Sequence, residues 1–253
     1  MGKVTINCLG NLGRLGNQLF QMATTIGYAL DHKKHYVFPR WKYQEYIPMA
    51  LQAVHTDVEV SEEGIRYSRL PYAEGNVNLH GHFLSENYFV RHRDYILEYF
   101  KLTPEWEEYI KNKYSHIIES PSTCSIHIRR GDYLNRDQLA FHGLIPVKWY
   151  MDAIYKLYQN PITPGIKFVV FSDDIEWCKS KFPADWIYIE GENEIIDLFL
   201  MSKCKDNIIA NSSFSWWGAW LNQNTNKRVV APKKWFIDTD GWPELYAENW
   251  SVI

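Results

Sequence analysis

The stretch "CSIHIRRGDYL", Cys124–Leu134, decides how the fold is read. It begins as a mostly apolar run that suits a buried strand. Arg129 and Arg130 follow at once, and then a Gly-Asp turn. In an open parallel sheet, ligands gather outside the carboxyl ends of the strands, so two permanent positive charges stand where a ligand would be met. Arginine is charged at any physiological pH, and its fork of donors matches phosphate oxygens two at a time. Two adjacent arginines leaving a strand cannot both point the same way. One faces the crevice, and the other is left to pair with Asp132 or a neighbouring segment. A purely structural Arg–Asp network accounts for the same residues equally well. An exposed adhesion-type tripeptide is the weakest reading, because a strand leads straight into it.

On either side of this stretch, short apolar runs alternate with helical patterns. "KVTINCL" passes through a glycine-rich turn into "NQLFQMATTIGYALD", whose Leu19, Met22, Ala23, Ile26 and Ala29 or Leu30 keep helical spacing. "HYVFP" reads as a second strand closed by Pro39. "IKFVVFS", "WIYIE" and "DNIIAN" read as later strands, and "IPVKWYMDAIYKLYQN" as a helix between "SIHI" and "KFVVF". Such alternation predicts parallel sheets with crossover helices, an α/β architecture. A boundary falls near "SHIIESPSTC", residues 115–124, behind the charged helical stretch "TPEWEEYIKNKY". The expected organisation is two lobes with a cleft between them, residues 1–118 and 119–253, the C-terminal tail being able to pack back on the first lobe.

The bulk composition excludes more than it selects. A chain of 253 residues with 46% hydrophobic and 23% charged residues is ordinary for a globular protein. A net charge of −3 gives no reason to expect nucleic acid as the partner. The 11 Trp and 17 Tyr allow stacking on sugar faces, but aromatic side chains also fill cores, and the core reading is preferred for most of them. "MGKVTINCLG" is too short and too polar for a signal peptide, and Ile6 argues against myristoylation after Met-Gly. No run approaches 18 apolar residues, so no membrane span is expected. Cys8, Cys124, Cys178 and Cys204 lack metal-site or disulfide spacing and suit reduced thiols in the cytoplasm.

Four further segments carry candidate chemistry. "GNLGRLGNQLFQ", Gly10–Gln21, places three glycines between a strand and a helix, which permits close backbone approach and leaves N–H groups free for an anion or a sugar. It matches neither a Walker loop nor a dinucleotide fingerprint, and a tight turn explains it as well. "FSDDIEW" sets Asp173 and Asp174 at a strand end, where Ser172 or Asp173 suits the cap of the following helix and a carboxylate can accept from the edge of a guanine. "ANSSFSWWGAWL" sets Ser212, Ser213 and Ser215 before a helix, to cap it or to hold phosphate with its N–H groups. Trp216, Trp217 and Trp220 read as core. "IDTDG" offers Asp238 and Asp240 in the Asp-x-Asp pattern that suits a divalent metal. A solvated turn is preferred there, because the paired arginines already supply the positive charge.

Together the segments resemble glycosyltransferase family 11, the α-1,2-fucosyltransferases of soluble bacterial or viral type. The carriers are "LGNQLFQMA", "GHFLSENYF", "SIHIRRGDYL", "FHG" before "WYMDAI", "FSDDIEWCK", "DLFLMSKCKDNIIANSSFSWWGAWLN" and "VVAPKKWF", in order over nearly the whole chain. One departure is the opening "GNLGRLGNQLFQ", with Arg14, where the family usually has "GGLGNQLFQ". The resemblance implies a GT-B-like α/β fold of two Rossmann-like lobes, an N-terminal acceptor-side lobe (1–118) and a C-terminal lobe (119–253) that binds GDP-fucose. It implies an enzyme, a galactoside 2-α-L-fucosyltransferase. This would move L-fucose from GDP-β-L-fucose to the 2-hydroxyl of a terminal β-galactoside, with inversion and with no metal or other cofactor. The alternatives are a related transferase with another donor or acceptor, and a non-catalytic nucleotide-sugar or glycan-binding module. The implied partners are GDP-fucose and a galactose-terminated glycan or glycolipid. A glycolipid acceptor would bring peripheral contact with a membrane.

By the same resemblance, Arg129 meets the donor diphosphate and stabilises the leaving group. His127, Arg130, Asp173, Asp174, Asn211, Ser212, Ser213 and Phe214 complete the donor set. Gly16, Asn17, Gln18, Phe20, Glu86 and His142 fall on the acceptor and fucose side. Inversion needs a base for the attacking hydroxyl. Asp137, shortly after the paired arginines, is the first candidate, with Asp132, His142 and Glu86 as alternatives.

Overall fold

The computed structural model describes residues 2–159, 165–238 and 242–253. The chain divides into two compact units, Met1–Tyr109 with Pro243–Tyr246, and Ile110–Trp242 with Ala247–Ile253.

The first unit is built on a parallel four-stranded sheet of β1 (Lys3–Thr5), β2 (His35–Tyr36), β3 (Val58–Ser61) and β4 (Val77–His80), in the order β2-β1-β4-β3. Helix α1 (Leu15–Asp31) follows β1, as its spacing predicts, and Leu19, Phe20, Met22, Ala23 and Ile26 have no exposed surface. No side chain caps α1 from Arg14. The turn before it is pinned instead by the amides of Gln18 and Gln21, which donate to the carbonyls of Gly13 and Leu12 at 2.9 Å each. Gly13 adopts φ +80°, and a Cβ there would lie 2.6 Å from the Cβ of Asn17, so the turn requires glycine. The "HYVFP" strand is shorter than its apolar run, covering only His35–Tyr36, with Phe38 making an isolated bridge to Leu51. Strands β3 and β4 have no sequence signature: they pair in parallel across residues 62–76, which contain no helix, so the expected strand–helix alternation is absent there. Helices α2 (Arg93–Tyr99) and α3 (Pro104–Lys113) follow.

The second unit carries α4 (Ser115–Ile118), β5 (Thr123–Ile128), α5 (Arg136–His142), α6 (Val147–Tyr158), β6 (Lys167–Ser172), α7 (Ile175–Lys181), β7 (Ile187–Tyr188), α8 (Glu194–Lys203), β8 (Asp206–Ile208), α9 (Ser213–Trp220), β9 (Val229–Ala231) and β10 (Ser251–Val252). Its sheet is parallel throughout, in the order β10-β9-β8-β5-β6-β7. All six residues of β5 are buried, as befits a central strand of a parallel sheet, with Thr123, Ser125 and His127 alternating with the apolar Cys124, Ile126 and Ile128. Ile126, Ile128, Tyr150, Ile154, Phe168 and Val170 share one core. Trp216, Trp217 and Trp220 are each 0% exposed, so the tryptophan-rich helix is core, as its spacing suggests.

Strand order positions the site. The chain runs from β5 outward to β6 and β7, then returns to the other side of β5 to lay down β8, β9 and β10. The order therefore reverses between β5 and β8. In open parallel sheets the loops that diverge from such a point leave a crevice at the carboxyl edge, where ligands bind.

Candidate active site

Three loops leave the carboxyl edge around that crevice: Arg129-Arg130-Gly131 after β5, Asp173-Asp174 after β6, and Ile209–Ser212 after β8. Arg129 is clamped between two carboxylates. Its Nη2 lies 2.6 Å from Asp132 Oδ2, and its Nη1 lies 2.7 Å from Asp173 Oδ2. Its guanidinium sits 5.3 Å from the ring centre of Tyr133. Arg130 turns the other way, donating from Nε to Asp174 Oδ2 at 2.9 Å and lying 4.4 Å over the ring of Trp177. The two side chains diverge, as adjacency at a strand end demands, and the Arg–Asp network is real.

Asp173 organises this turn. Its Oδ1 accepts from the backbone N–H groups of Arg130 and Gly131, both at 2.9 Å, while Oδ2 holds Arg129. Burial pushes the Asp173 carboxyl up, but the Arg129 guanidinium and the N–H groups of Gly131 and Arg130 together hold it below its ordinary value. Asp174 is the N-cap residue of α7, and its own N–H donates to Ser172 Oγ at 3.0 Å. Both aspartates therefore engage the paired arginines, where the sequence suggested a helix cap or a nucleotide contact.

The β8–α9 loop forms the other wall. The Tyr133 hydroxyl donates to the Asn211 carbonyl at 3.0 Å. The Asn211 amide donates to the carbonyls of His142 (2.8 Å) and Trp235 (3.2 Å), so Asn211 braces the loop from within. Ser212 has the extended backbone of an N-cap residue but makes no side-chain cap hydrogen bond to α9. Ser213 and Phe214 open the helix, half-buried, with its first-turn N–H groups and positive dipole end facing outward from the sheet edge. His127, buried in β5, places its ring 5.3 Å from that of Phe214.

His142 stacks on Tyr133 at 4.3 Å between ring centres and 10° between planes. Burial lowers its pKa to about 4; the nearby Asp132 charge works against that lowering and Arg129 works with it. Such a neutral imidazole is a weak base. Asp137 lies exposed in the first turn of α5 and takes no part in the arginine network.

In the first unit, Gly16 and Phe20 are buried along α1, and Phe20 has no exposed surface. Gln18 donates to Gly13 and accepts from the indole N–H of Trp41 at 2.7 Å, so its amide serves the turn itself. The Asn17 amide reaches Nδ1 of His82 at 3.1 Å, and burial lowers the pKa of that histidine. Glu86 is buried at the start of a short 3-10 turn, in electrostatic contact with Arg93. Asp238 is exposed, and Asp240 lies outside the described residues. Among the described residues no group of three or more His, Cys, Asp or Glu side chains is placed to hold a metal ion.

Tyr133 and Trp177, the aromatic partners of the two arginines, were not singled out from the sequence. Their signal was local: Tyr133 stands four residues after Arg129, and Trp177 three after Asp174.

Comparison with known proteins bears on the family and the fold. The family model described as glycosyl transferase family 11 matches residues 53–253. The chain is 40% identical over 168 residues to the O-antigen biosynthesis glycosyltransferase WbnK of Escherichia coli, covering 63% of this chain and 55% of that protein. It is 40% identical over 170 residues to an alpha-1,2-colitosyltransferase of Escherichia coli, covering 64% and 57%. It thus spans little more than half the length of these two curated relatives. With galactoside alpha-(1,2)-fucosyltransferase 2 of Oryctolagus cuniculus it shares 24% identity over 250 residues, covering 87% and 67%. Among solved structures, its fold matches that of fucosyltransferase NodZ from Bradyrhizobium, with a TM-score of 0.57 at 13% identity over 87% of this chain and 93% of that one. It also matches NodZ alpha-1,6-fucosyltransferase soaked with GDP-fucose, with a TM-score of 0.54 at 14% identity over 87% and 92%. The fold is the GT-B-like α/β arrangement of two Rossmann-like units. A chain with this fold, these ordered segments and a family match over residues 53–253 belongs to glycosyl transferase family 11.

Proposed function

We propose that this glycosyltransferase moves L-fucose from GDP-β-L-fucose to the 2-hydroxyl of a terminal β-galactoside, with inversion and without a metal. The observation that carries the reading is Arg129, oriented by Asp173 at the strand-order reversal between β5 and β8. Cleavage of the sugar–phosphate bond throws negative charge onto the β-phosphate as the sugar becomes oxocarbenium-like. The guanidinium of Arg129 and the N–H groups at the start of α9 would receive that charge, supplying what a divalent cation supplies elsewhere. Phe214, with the buried His127 behind it, would line the nucleoside's side of the crevice. Asp137 is the proposed base: it lies exposed in the first turn of α5, outside the arginine network. His142, with its lowered pKa, suits that role less well. The fucose donor and galactoside acceptor are supported by the rabbit relative and by NodZ with GDP-fucose. Among the described residues no helix is long and apolar enough to cross a membrane; we propose action in the cytoplasm, in peripheral contact with a membrane where the acceptor is a glycolipid.

A second reading, with colitose in place of fucose, is favoured by the 40% identity to the colitosyltransferase. The test is GDP release from GDP-fucose with lactose as acceptor, in EDTA. Wild type should release GDP only with acceptor present, and Arg129→Ala should be slower by about 10²–10³, the usual loss for a transition-state donor. GDP binding without release would favour the second reading. Loss of all activity in EDTA would overturn metal independence.

A further inference from the structure

We infer that the first unit holds a second saccharide site, a cavity at the C-terminal end of α1 that takes a carboxylate-bearing sugar. The cavity has a volume of about 300 Å³ and is lined wholly by residues of that unit. This is the lower end of the range for small-molecule sites and suits a ligand of sugar size. The cavity shares no lining residue with the turn before α1 or with the loops around Arg129. The inference therefore goes beyond the donor reading and does not depend on it.

Its floor and walls are aromatic and fixed. Tyr28 and Tyr88 are buried, and their hydroxyls are committed to the fold. Tyr28 donates to the Pro71 carbonyl at 2.9 Å and accepts from the Ala73 N–H at 3.1 Å, while Tyr88 accepts from the Ser68 N–H at 3.2 Å. Tyr67, half-buried, meets Tyr88 edge-on at 4.8 Å between ring centres, and Leu70 completes the apolar wall. Thr24 lies beneath, its buried hydroxyl without a hydrogen-bond partner among the described residues. The rim is charged. Asp31 is already engaged by Arg91 at 3.3 Å and by Nε2 of His92 at 2.8 Å. Arg69 is exposed and makes no salt bridge among the described residues. His32, on the same rim, reports the balance of charge: burial lowers its pKa, Asp31 opposes this, and Lys34, Arg69 and Arg91 act with the burial. Three cations thus act on this rim against one carboxylate, and a positive surplus stands at the mouth of an aromatic cavity. Rings held in place by their own hydroxyls can pack against a pyranose, and Arg69 offers its fork of donors to a carboxylate.

The experiment is titration of D-glucuronate and of its uncharged analogue D-glucuronamide, followed by saturation-transfer NMR, into wild type, Arg69→Gln, Tyr67→Leu and Arg129→Ala. Thermal unfolding of each variant checks folding. We expect wild type to bind glucuronate more tightly than glucuronamide. Arg69→Gln should bind glucuronate about three- to fivefold more weakly and glucuronamide as wild type does, as loss of one partly exposed charge pair implies. The preference for glucuronate should shrink as salt screens it. Tyr67→Leu should weaken both probes alike, and Arg129→Ala neither. Absence of glucuronate binding to wild type, or an affinity unmoved by Arg69→Gln, overturns the site. Equal binding of the two probes to wild type overturns the preference for a carboxylate. Loss of glucuronate binding in Arg129→Ala but not in Arg69→Gln would place the sugar in the crevice at Arg129, and the second site is then overturned. A wild type that binds glucuronate but not GDP would keep this inference and defeat the donor reading, so the two failures are distinct.

Discussion

Replacing Asp173 by asparagine keeps half of what that side chain does and inverts the other half. The amide oxygen can still accept from the N–H groups of Arg130 and Gly131, as Oδ1 does at 2.9 Å. The amide nitrogen then faces Nη1 of Arg129, where a carboxylate oxygen stood at 2.7 Å, and two donors meet. Turning the amide over only moves the mismatch to the backbone N–H groups. A hydrogen bond to a charged group contributes about 1.5–3 kcal/mol. The pair is 11% and 24% exposed, so the lower part of that range applies. With a factor of ten for each 1.4 kcal/mol, kcat/KM should fall about 10- to 30-fold as Arg129 loses its aim, and because the pair is already formed in the free protein the urea midpoint should fall as well. Asp173→Ala removes the acceptor as well. The two N–H groups then turn to water, and the chain should lose about 2 kcal/mol of stability in addition to the kinetic loss. Steady-state kinetics and urea unfolding of both variants separate the two effects. An Asp173→Asn enzyme within threefold of wild type in kcat/KM would refute the claim that Asp173 aims Arg129.

Three other perturbations test the same structure. A Cβ on Gly131 would lie 3.0 Å from both Cγ and Oδ2 of Asp173, so Gly131→Ala should push that carboxylate off Arg129 and lower kcat/KM about three- to tenfold. His142 has a folded pKa of about 4, below the ~6.5 of an unfolded histidine. Stability is therefore lost as the pH falls from ~6.5 towards 4, by about 1–2 kcal/mol after allowance for partial exposure. His142→Phe keeps the ring stack on Tyr133, and urea unfolding at the two pH values should show that loss removed. Burial, with Glu192 and Glu194 adding to it, pushes the Asp197 carboxyl up to about 7, and one of its oxygens is buried with no hydrogen-bond partner. Its folded pKa exceeds the unfolded ~3.9, so it destabilises the chain progressively as the pH rises from ~4 to 7. Asp197→Asn should therefore raise stability by about 1–3 kcal/mol at pH 8 and change little at pH 4, as thermal unfolding at each pH will report.

Much of the candidate site was legible because it rests on local patterns. The apolar run ending in Arg129 and Arg130 marks a buried strand with charge at its carboxyl end, and β5 is that strand. The spacing of Leu19, Met22, Ala23 and Ile26 gives α1, and the tryptophans of α9 are core, as their positions imply. Where periodicity was missing, the reading failed. Strands β3 and β4 are four residues each and are joined without a helix, so neither length nor alternation marks them. Gln18 and Phe20 have residue types that suit a binding loop, but Trp41 and Gly13 take up the amide of Gln18, and the core takes the ring of Phe20.

The sequence by itself determined the α/β class, the strand from which the paired arginines emerge and the helices behind it, because these follow from hydrophobic period and turn chemistry within a few residues. Tertiary structure alone decided which carboxylate each arginine meets. Asp173 lies 44 residues from Arg129, and it arrives there only because β6 pairs in register with β5, His127 opposite Phe171 and Ile128 opposite Ser172. The return of the chain to place β8 on the far side of β5 likewise sets Asn211 and the start of α9 against Tyr133 and His142. Local pattern cannot encode such a meeting, because strand order is settled by how whole faces bury one another, and the charge balance at the site is a consequence of that order.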